Sequence, residues 1–160
     1  MRYVFESPYS MLEVSSSVLE LWKKYRQKKP KDNEACGVII GESFYDDSKY
    51  IVDMATSPRR NDFRQRANFK IKDKFHQKVV DKEWRKSGGT RFYLGFWHSH
   101  PQESPVPSFL DRSEWKKNFK LNSRHLPSLF FPIIGLSRVE VWELNMGKII
   151  KMDSSLNENL

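Results

Sequence analysis

Residues 90–98 carry apolar side chains on both faces of an extended strand, with Phe92, Leu94, Phe96 and His98 on one face and Tyr93, Gly95 and Trp97 on the other. A strand covered on both faces belongs inside a sheet, so the segment predicts a central strand. Pro101, Pro105 and Pro107 follow at once. Proline gives no backbone N–H to a ladder, so the chain must leave the sheet beyond residue 100 and curl. Residues 98–111 therefore lie where a central strand ends, and they include His98, His100, Ser108 and Asp111.

The rest of the pattern surrounds that strand with a mixed set of elements. Residues 2–6 and 11–14 read as short strands. A helix starts near residues 15–17, with Val18, Leu21, Trp22 and Tyr25 on one stripe, and stops before Pro30. Residues 35–40 form a short apolar strand, paired with residues 50–55 across Asp46-Asp47-Ser48. Residues 57–68 are basic and polar and predict a mobile loop. Ile71, Phe75, Val79, Val80 and Trp84 predict a second amphipathic helix, stopped by Ser87-Gly88-Gly89. Residues 109–121 look helical; residues 129–136, 139–144 and 148–152 look like strands. Helices interrupt strands irregularly and no repeat appears, so the expected class is a mixed α/β domain around one sheet. Residues 1–153 form the expected domain and residues 154–160 a polar C-terminal tail.

A chain of 160 residues fits one domain with its own core. The single cysteine, Cys36, excludes an internal disulfide framework and a multi-cysteine zinc cluster, and a reducing cytoplasm is the simplest home. Residues 1–10 lack the basic and apolar regions of a secretory signal, and the longest apolar stretch, residues 129–136, is short and holds Pro132. The expectation is a protein neither exported nor membrane-spanning. The net charge of +8 suits an acidic protein partner or nucleic acid. No basic-aromatic recognition motif or helix-turn-helix signal accompanies it, which disfavours nucleic acid.

Spacing gives the histidines a chemistry. On a strand, side chains two apart point the same way, so His98 and His100 can chelate together, and a helix starting at Ser108 can bring Asp111 back as a third ligand. Three protein ligands leave a fourth position open, the arrangement of a catalytic zinc. Each half also has an ordinary reading: histidines hydrogen-bonded in a core, and Ser108 with Asp111 as a helix capping box. His76 and His125, isolated among basic residues, are expected on the surface. A hydrolytic zinc also needs a base, and spacing leaves Glu34, Glu42, Glu103 and Glu114 all open.

His98-Ser99-His100-Pro101, then Ser108 and Asp111, with Glu34-Ala35-Cys36-Gly37 upstream, resembles the JAMM (JAB/MPN+) metalloprotease family, whose pattern is Glu-x-x-Gly followed by H-x-H-x₇-S-x₂-D. The resemblance implies a single JAB/MPN-like domain with a central, mostly antiparallel curved sheet flanked by helices. It implies Zn²⁺ held by His98, His100 and Asp111, Glu34 as general base and proton shuttle, and Ser108 steadying the tetrahedral oxyanion. Gly37 and Gly41 would allow close backbone approach around Glu34, and Cys36 reads as a small buried residue rather than a nucleophile.

Relatives of this kind are isopeptidases that remove ubiquitin or ubiquitin-like modifiers. Residues 93–101 and 110–115 resemble the bacterial branch of antiphage CBASS operons, where the peptidase undoes conjugation of a cGAS-like nucleotidyltransferase through its C-terminus, alongside E1- and E2-like ligases. The connection between Asp111 and Leu129 leaves little room for the insertion that linkage-selective deubiquitinases use. The competing readings are a catalytically silent MPN-type scaffold and a basic nucleic-acid-associated JAB module.

Overall fold

The computed structural model describes residues 2–154, and it builds one large sheet around the predicted central strand. In chain order the elements are β1 (Arg2–Glu6), β2 (Met11–Ser15), α1 (Ser16–Lys24), β3 (Cys36–Phe44), β4 (Lys49–Ala55), β5 (Phe63–Gln65) and β6 (Asn68–Lys70). They continue with α2 (Lys74–Lys86), β7 (Phe92–Ser99), α3 (Phe109–Asn122), β8 (Ser128–Ile134), β9 (Val139–Asn145), β10 (Lys148–Lys151) and β11 (Asp153–Ser154). The main sheet runs β10-β9-β8-β7-β3-β4-β2-β1-β11, and β5 and β6 form a separate hairpin. Among the described residues only β2 with β4 and β7 with β8 pair in parallel. The parallel step from β7 to β8 needs a crossover, and α3 supplies it.

The sheet curls until its ends meet. Met152 N–H donates to Val141 C=O on β9 at 2.9 Å, while β11 pairs with β1. Glu143, fully buried on β9, accepts across the same seam from Ser7 and Ser10, and from Ser128 of the neighbouring β8. A buried carboxylate is tolerable when donors surround it, and these three hydroxyls do so. This nearly closed, mostly antiparallel sheet, with three helices among the described residues, is the JAB/MPN-like architecture expected. Of the predicted tail, residues 154–160, Ser154 pairs with Phe5 and residues 155–160 lie outside the described residues.

The central strand departs from simple alternation. Leu94 and Trp97 enter the same core cluster, with Val14, Trp22 and Ile39, whereas Tyr93 and Phe96 face Trp115 and Phe131. Ile39 pairs with Gly95 and Ile40 with Tyr93, so one residue is extra on β7. This bulge inverts the parity predicted for residues 92–95 and keeps it from Phe96 to His98. Gly95 makes it possible: its φ is +134°, and a Cβ there would stand 1.9 Å from Phe130 C=O.

Two helices also differ from expectation. In α1 the buried residues are Val18, Leu19 and Trp22, and Leu21 is only half-buried. In α2 the helix begins after Ile71, capped by Asp73, and buries His76, Val80 and Glu83, leaving Trp84 exposed. His76 is therefore a core residue and not a surface one; His125 is exposed as expected. The apolar stripe was misleading because polar partners wait beneath the helix. The His76 ring bonds Asp62 Oδ2 through Nε2 at 2.7 Å and Thr56 Oγ1 through Nδ1 at 2.6 Å.

Candidate metal centre

His98 lies next to the end of β7 in its buried part, pinned on one side by pairing with Cys36 of β3 and on the other by pairing with Ile133 of β8. Its ring lies on the face shared with Phe96, stacked on Phe69 with centroids 4.6 Å apart. His100 follows as the chain leaves the sheet, its N–H bonded to Ile134 C=O at 3.0 Å. Ser99, between them, faces the other way: its hydroxyl donates to Gln27 at 2.9 Å and accepts from Ala35 N–H at 2.8 Å. The two histidines are thus held from behind.

Asp111 arrives on α3. Ser108 caps the helix, accepting from Asp111 N–H at 3.0 Å, and Asp111 Oδ2 accepts from Ser108 N–H at 2.8 Å. The ordinary capping-box reading is therefore true, and it serves the site: it locks the carboxylate rotamer. One turn on, fully buried Trp115 stacks on Phe131 at 5.1 Å and anchors the same helix face to β8. The same Asp111 Oδ2 lies 3.4 Å from His98 Nε2 and 3.2 Å from His100 Nε2, and the two Nε2 atoms are 3.0 Å apart.

Those separations fit a bound metal. Ligand atoms about 2.0–2.1 Å from a tetrahedral zinc stand about 3.3 Å from one another, within the range seen for this trio. His98 Nδ1 is enclosed without a hydrogen-bond partner among the described residues, so the ring's polar engagement is through Nε2, on the shared point. His100 Nδ1 lies 3.2 Å from Gln102 Oε1, the kind of outer contact that orients a ligating imidazole.

Glu34 is the one candidate base brought to this point, its Oε1 3.4 Å from His100 Nε2. Together with the two imidazoles it offers a second possible donor set, but it approaches His100, whereas Asp111 touches both rings. Glu42 sits far along β3, Glu103 bonds Ser137 at the surface, and Glu114 is exposed and paired with Lys117. Of residues 57–68, expected to be a mobile loop, the second half enters the β5–β6 hairpin, which clamps Glu34. Gln65 C=O accepts from Glu34 N–H at 2.7 Å, and Arg64 Nε donates to Glu34 C=O at 2.7 Å.

The electrostatics separate the two carboxylates. Burial pushes Glu34 up to about 8, with His100 pulling it down and Asp111 adding to the rise. Burial also works against the charge on Asp111, but the bonds to His100 and His98 outweigh it and hold its carboxyl well below the usual range. Burial pulls His98 below the ordinary histidine value despite Asp111. His100, where burial acts in the same direction, is carried above it by Asp111 and Glu34. Burial and neighbouring charge thus push the two carboxylates in opposite directions, Asp111 down and Glu34 up. Cys36 is buried, and burial pushes its thiol up to about 12, which leaves it inert.

Glu34, His100, Ser108 and Asp111 open into a cavity of about 930 Å³ between α2 and α3. Gly37 works differently from the expected role around Glu34. A Cβ there would stand 1.9 Å from Thr56 C=O and 2.7 Å from Trp97 Nε1, so it admits the end of β4 against β3. Gly41 likewise admits Ile51 C=O. Ser99, Gln27, Arg64 and Phe69 support the site without having been singled out from the sequence. Ser99 alone had a readable signal, since strand parity turns it away from both histidines.

Residues 16–145 match the family described as prokaryotic homologs of the JAB domain. The chain belongs to the prokaryotic JAB family. The matched span of this JAB domain runs from α1 to the end of β9 and contains Glu34, His98, His100, Ser108 and Asp111. Relatives named CD-NTase/cGAS isopeptidase are similar to it. One from Pseudomonas aeruginosa is 35% identical over 108 residues, 68% of this chain and 67% of the relative. One from Vibrio cholerae is 37% identical over 94 residues, 59% of each. One from Escherichia coli is 30% identical over 140 residues, 88% of this chain and 83% of the relative. The JAB fold is also similar to the solution structure of a protein from Desulfitobacterium hafniense, with TM-score 0.54 and 22% identity, covering 86% of this chain and 87% of that one.

Proposed function

We propose that this JAB domain is a zinc-dependent isopeptidase of bacterial antiphage defence. In this reading it acts in the cytoplasm and hydrolyses the bond between the C-terminus of a conjugated cGAS-like nucleotidyltransferase, or of a ubiquitin-like modifier, and its target. E1- and E2-like ligases would make the bond that it cuts. The observation that carries the reading is the convergence of His98 Nε2, His100 Nε2 and Asp111 Oδ2 within 3.0–3.4 Å, with Glu34 against His100 at the wall of an open cavity. The names of the three relatives support the substrate class.

His98, His100 and Asp111 would hold the zinc ion, which when bound polarises the scissile carbonyl and activates water. Glu34, clamped by the hairpin, takes the proton from the attacking water and returns it to the departing amine. Ser108 accepts from Asp111 N–H, which leaves its own hydroxyl proton to donate to the carbonyl oxygen as negative charge develops there. Phe69 covers His98 and keeps bulk water from that ligand.

The test is cleavage of a nucleotidyltransferase–target fusion, with metal analysis on the same preparation. Stoichiometric zinc, loss of cleavage on chelation, and loss of cleavage with zinc retained in Glu34→Gln are expected. Cleavage that survives chelation, or full turnover by Glu34→Gln, would overturn the reading.

A further inference from the structure

The cavity that holds the candidate centre is lined on one side by an extended segment with a regular pattern. Phe69 and Ile71 turn inward and pack with Phe96 and Tyr93, while Lys70, Lys72 and Lys74 alternate with them, exposed, along the same cavity. Among the described residues no carboxylate lies within ion-pair distance of these three lysines. The acids nearby are engaged: Asp73 caps α2 and binds Asn61 N–H, Glu114 pairs with Lys117, and Asp111 faces the imidazoles. The segment is also rigid, because Asp62 accepts from Lys72 N–H and Asp73 N–H, both at 2.9 Å.

Resting on the isopeptidase reading, we propose that Lys70, Lys72 and Lys74 select substrates whose extended segment in this cavity carries carboxylates at alternate positions. Side chains two apart on an extended chain recur at about 6.6 Å, so an extended peptide presents its carboxylates at the interval at which Lys70 and Lys72 recur, with Lys74 one step further on at the start of α2. The apolar floor of Phe69, Ile71, Tyr93 and Phe96 takes the side chains and aliphatic stems between them. A peptide is favoured over nucleic acid because the lysines share their cavity with a peptide-hydrolysing centre.

The experiment measures binding of short labelled peptides with a free C-terminus, and KM and kcat for fusions carrying the same sequences. One sequence bears glutamate at three alternate positions, the other glutamine. The proteins are the wild type, a Lys70→Gln/Lys72→Gln/Lys74→Gln variant, and a control with Lys28→Gln, Lys29→Gln and Lys31→Gln, equal in net charge but changed outside the cavity. We expect about a tenfold preference for the glutamate peptide, read in KM with kcat unchanged and lost at high salt. The cavity variant loses the preference; the control keeps it. Equal binding of the two peptides, or equal loss in the control, overturns the proposal. So does tighter binding of a single-stranded oligonucleotide that depends on the same three lysines. Glutamate-peptide selectivity without any fusion cleavage refutes the isopeptidase reading alone; cleavage without selectivity refutes the lysine assignment alone.

Discussion

Asp62→Asn should weaken the fold and the candidate site together. Asp62 is fully enclosed and accepts four hydrogen bonds: from Lys72 N–H and Asp73 N–H on Oδ1, both at 2.9 Å, and from Arg59 N–H at 2.9 Å and His76 Nε2 at 2.7 Å on Oδ2. Asparagine keeps one accepting oxygen and places an NH₂ against Arg59 N–H, donor to donor. Hydrogen bonds to a charged group are worth about 1.5–3 kcal/mol and neutral ones about 0.5–1.5, so losing one bond and weakening the others should cost about 2–4 kcal/mol. In a domain of this size that is a fall in Tm of roughly 4 to 16 °C. The pH dependence has a defined sign. Burial alone would raise the Asp62 carboxyl, but the bonds from Asp73, His76, Arg59 and Lys72 outweigh it and lower it from its ordinary value of 3.8. The stability it contributes is therefore complete above that value and lost as pH falls through the lower folded one. The gap between wild type and Asp62→Asn should be constant from pH 7 to about pH 5 and close below about pH 4. Urea denaturation at each pH measures it, and amide exchange at Glu34 reports the hairpin, since Gln65 C=O holds that N–H. A variant within about 0.5 kcal/mol of wild type, or a gap that widens in acid, would refute the reasoning.

Metal removal should lower Tm, because a ligand bound only by the folded state contributes about 4 kcal/mol when free zinc is a thousandfold above its Kd. Thermal melts with chelator and then with restored zinc should show the loss and recovery in wild type and neither in His98→Ala. Gly37→Ala should cost about 3 kcal/mol or more, because its Cβ would meet Thr56 C=O at 1.9 Å where β3 also pairs with β7; near-wild-type urea stability would contradict the close approach. Cys36, buried and with its thiol pushed up to about 12, should react with a thiol reagent only on unfolding, and fast labelling of the native protein would show the strand end to be open.

Much of this arrangement was legible locally. Strand parity put His98 and His100 on one side and Ser99 on the other, the prolines ended the strand, and the Ser108–Asp111 spacing marked a helix start. The misreadings share a cause. Residues 57–68 looked mobile and His76 looked solvated because their partners are distant in sequence: Glu34 with Gln65, Asp62 with His76, His76 with Thr56. The bulge at Gly95 depends on how closely Phe130 approaches, which no local periodicity records.

By itself the sequence determined which residues can ligate, which strand is central and where the chain must turn, because covalent spacing and side-chain period decide these before any folding. Only the tertiary structure decided which glutamate meets the histidines, that a capping aspartate also faces both imidazoles, and that a basic loop is a clamp. Each depends on elements far apart in the chain being pressed together by the curled sheet and its aromatic core. Burial, hydrogen bonding and donor separation become properties of a site only after that packing exists.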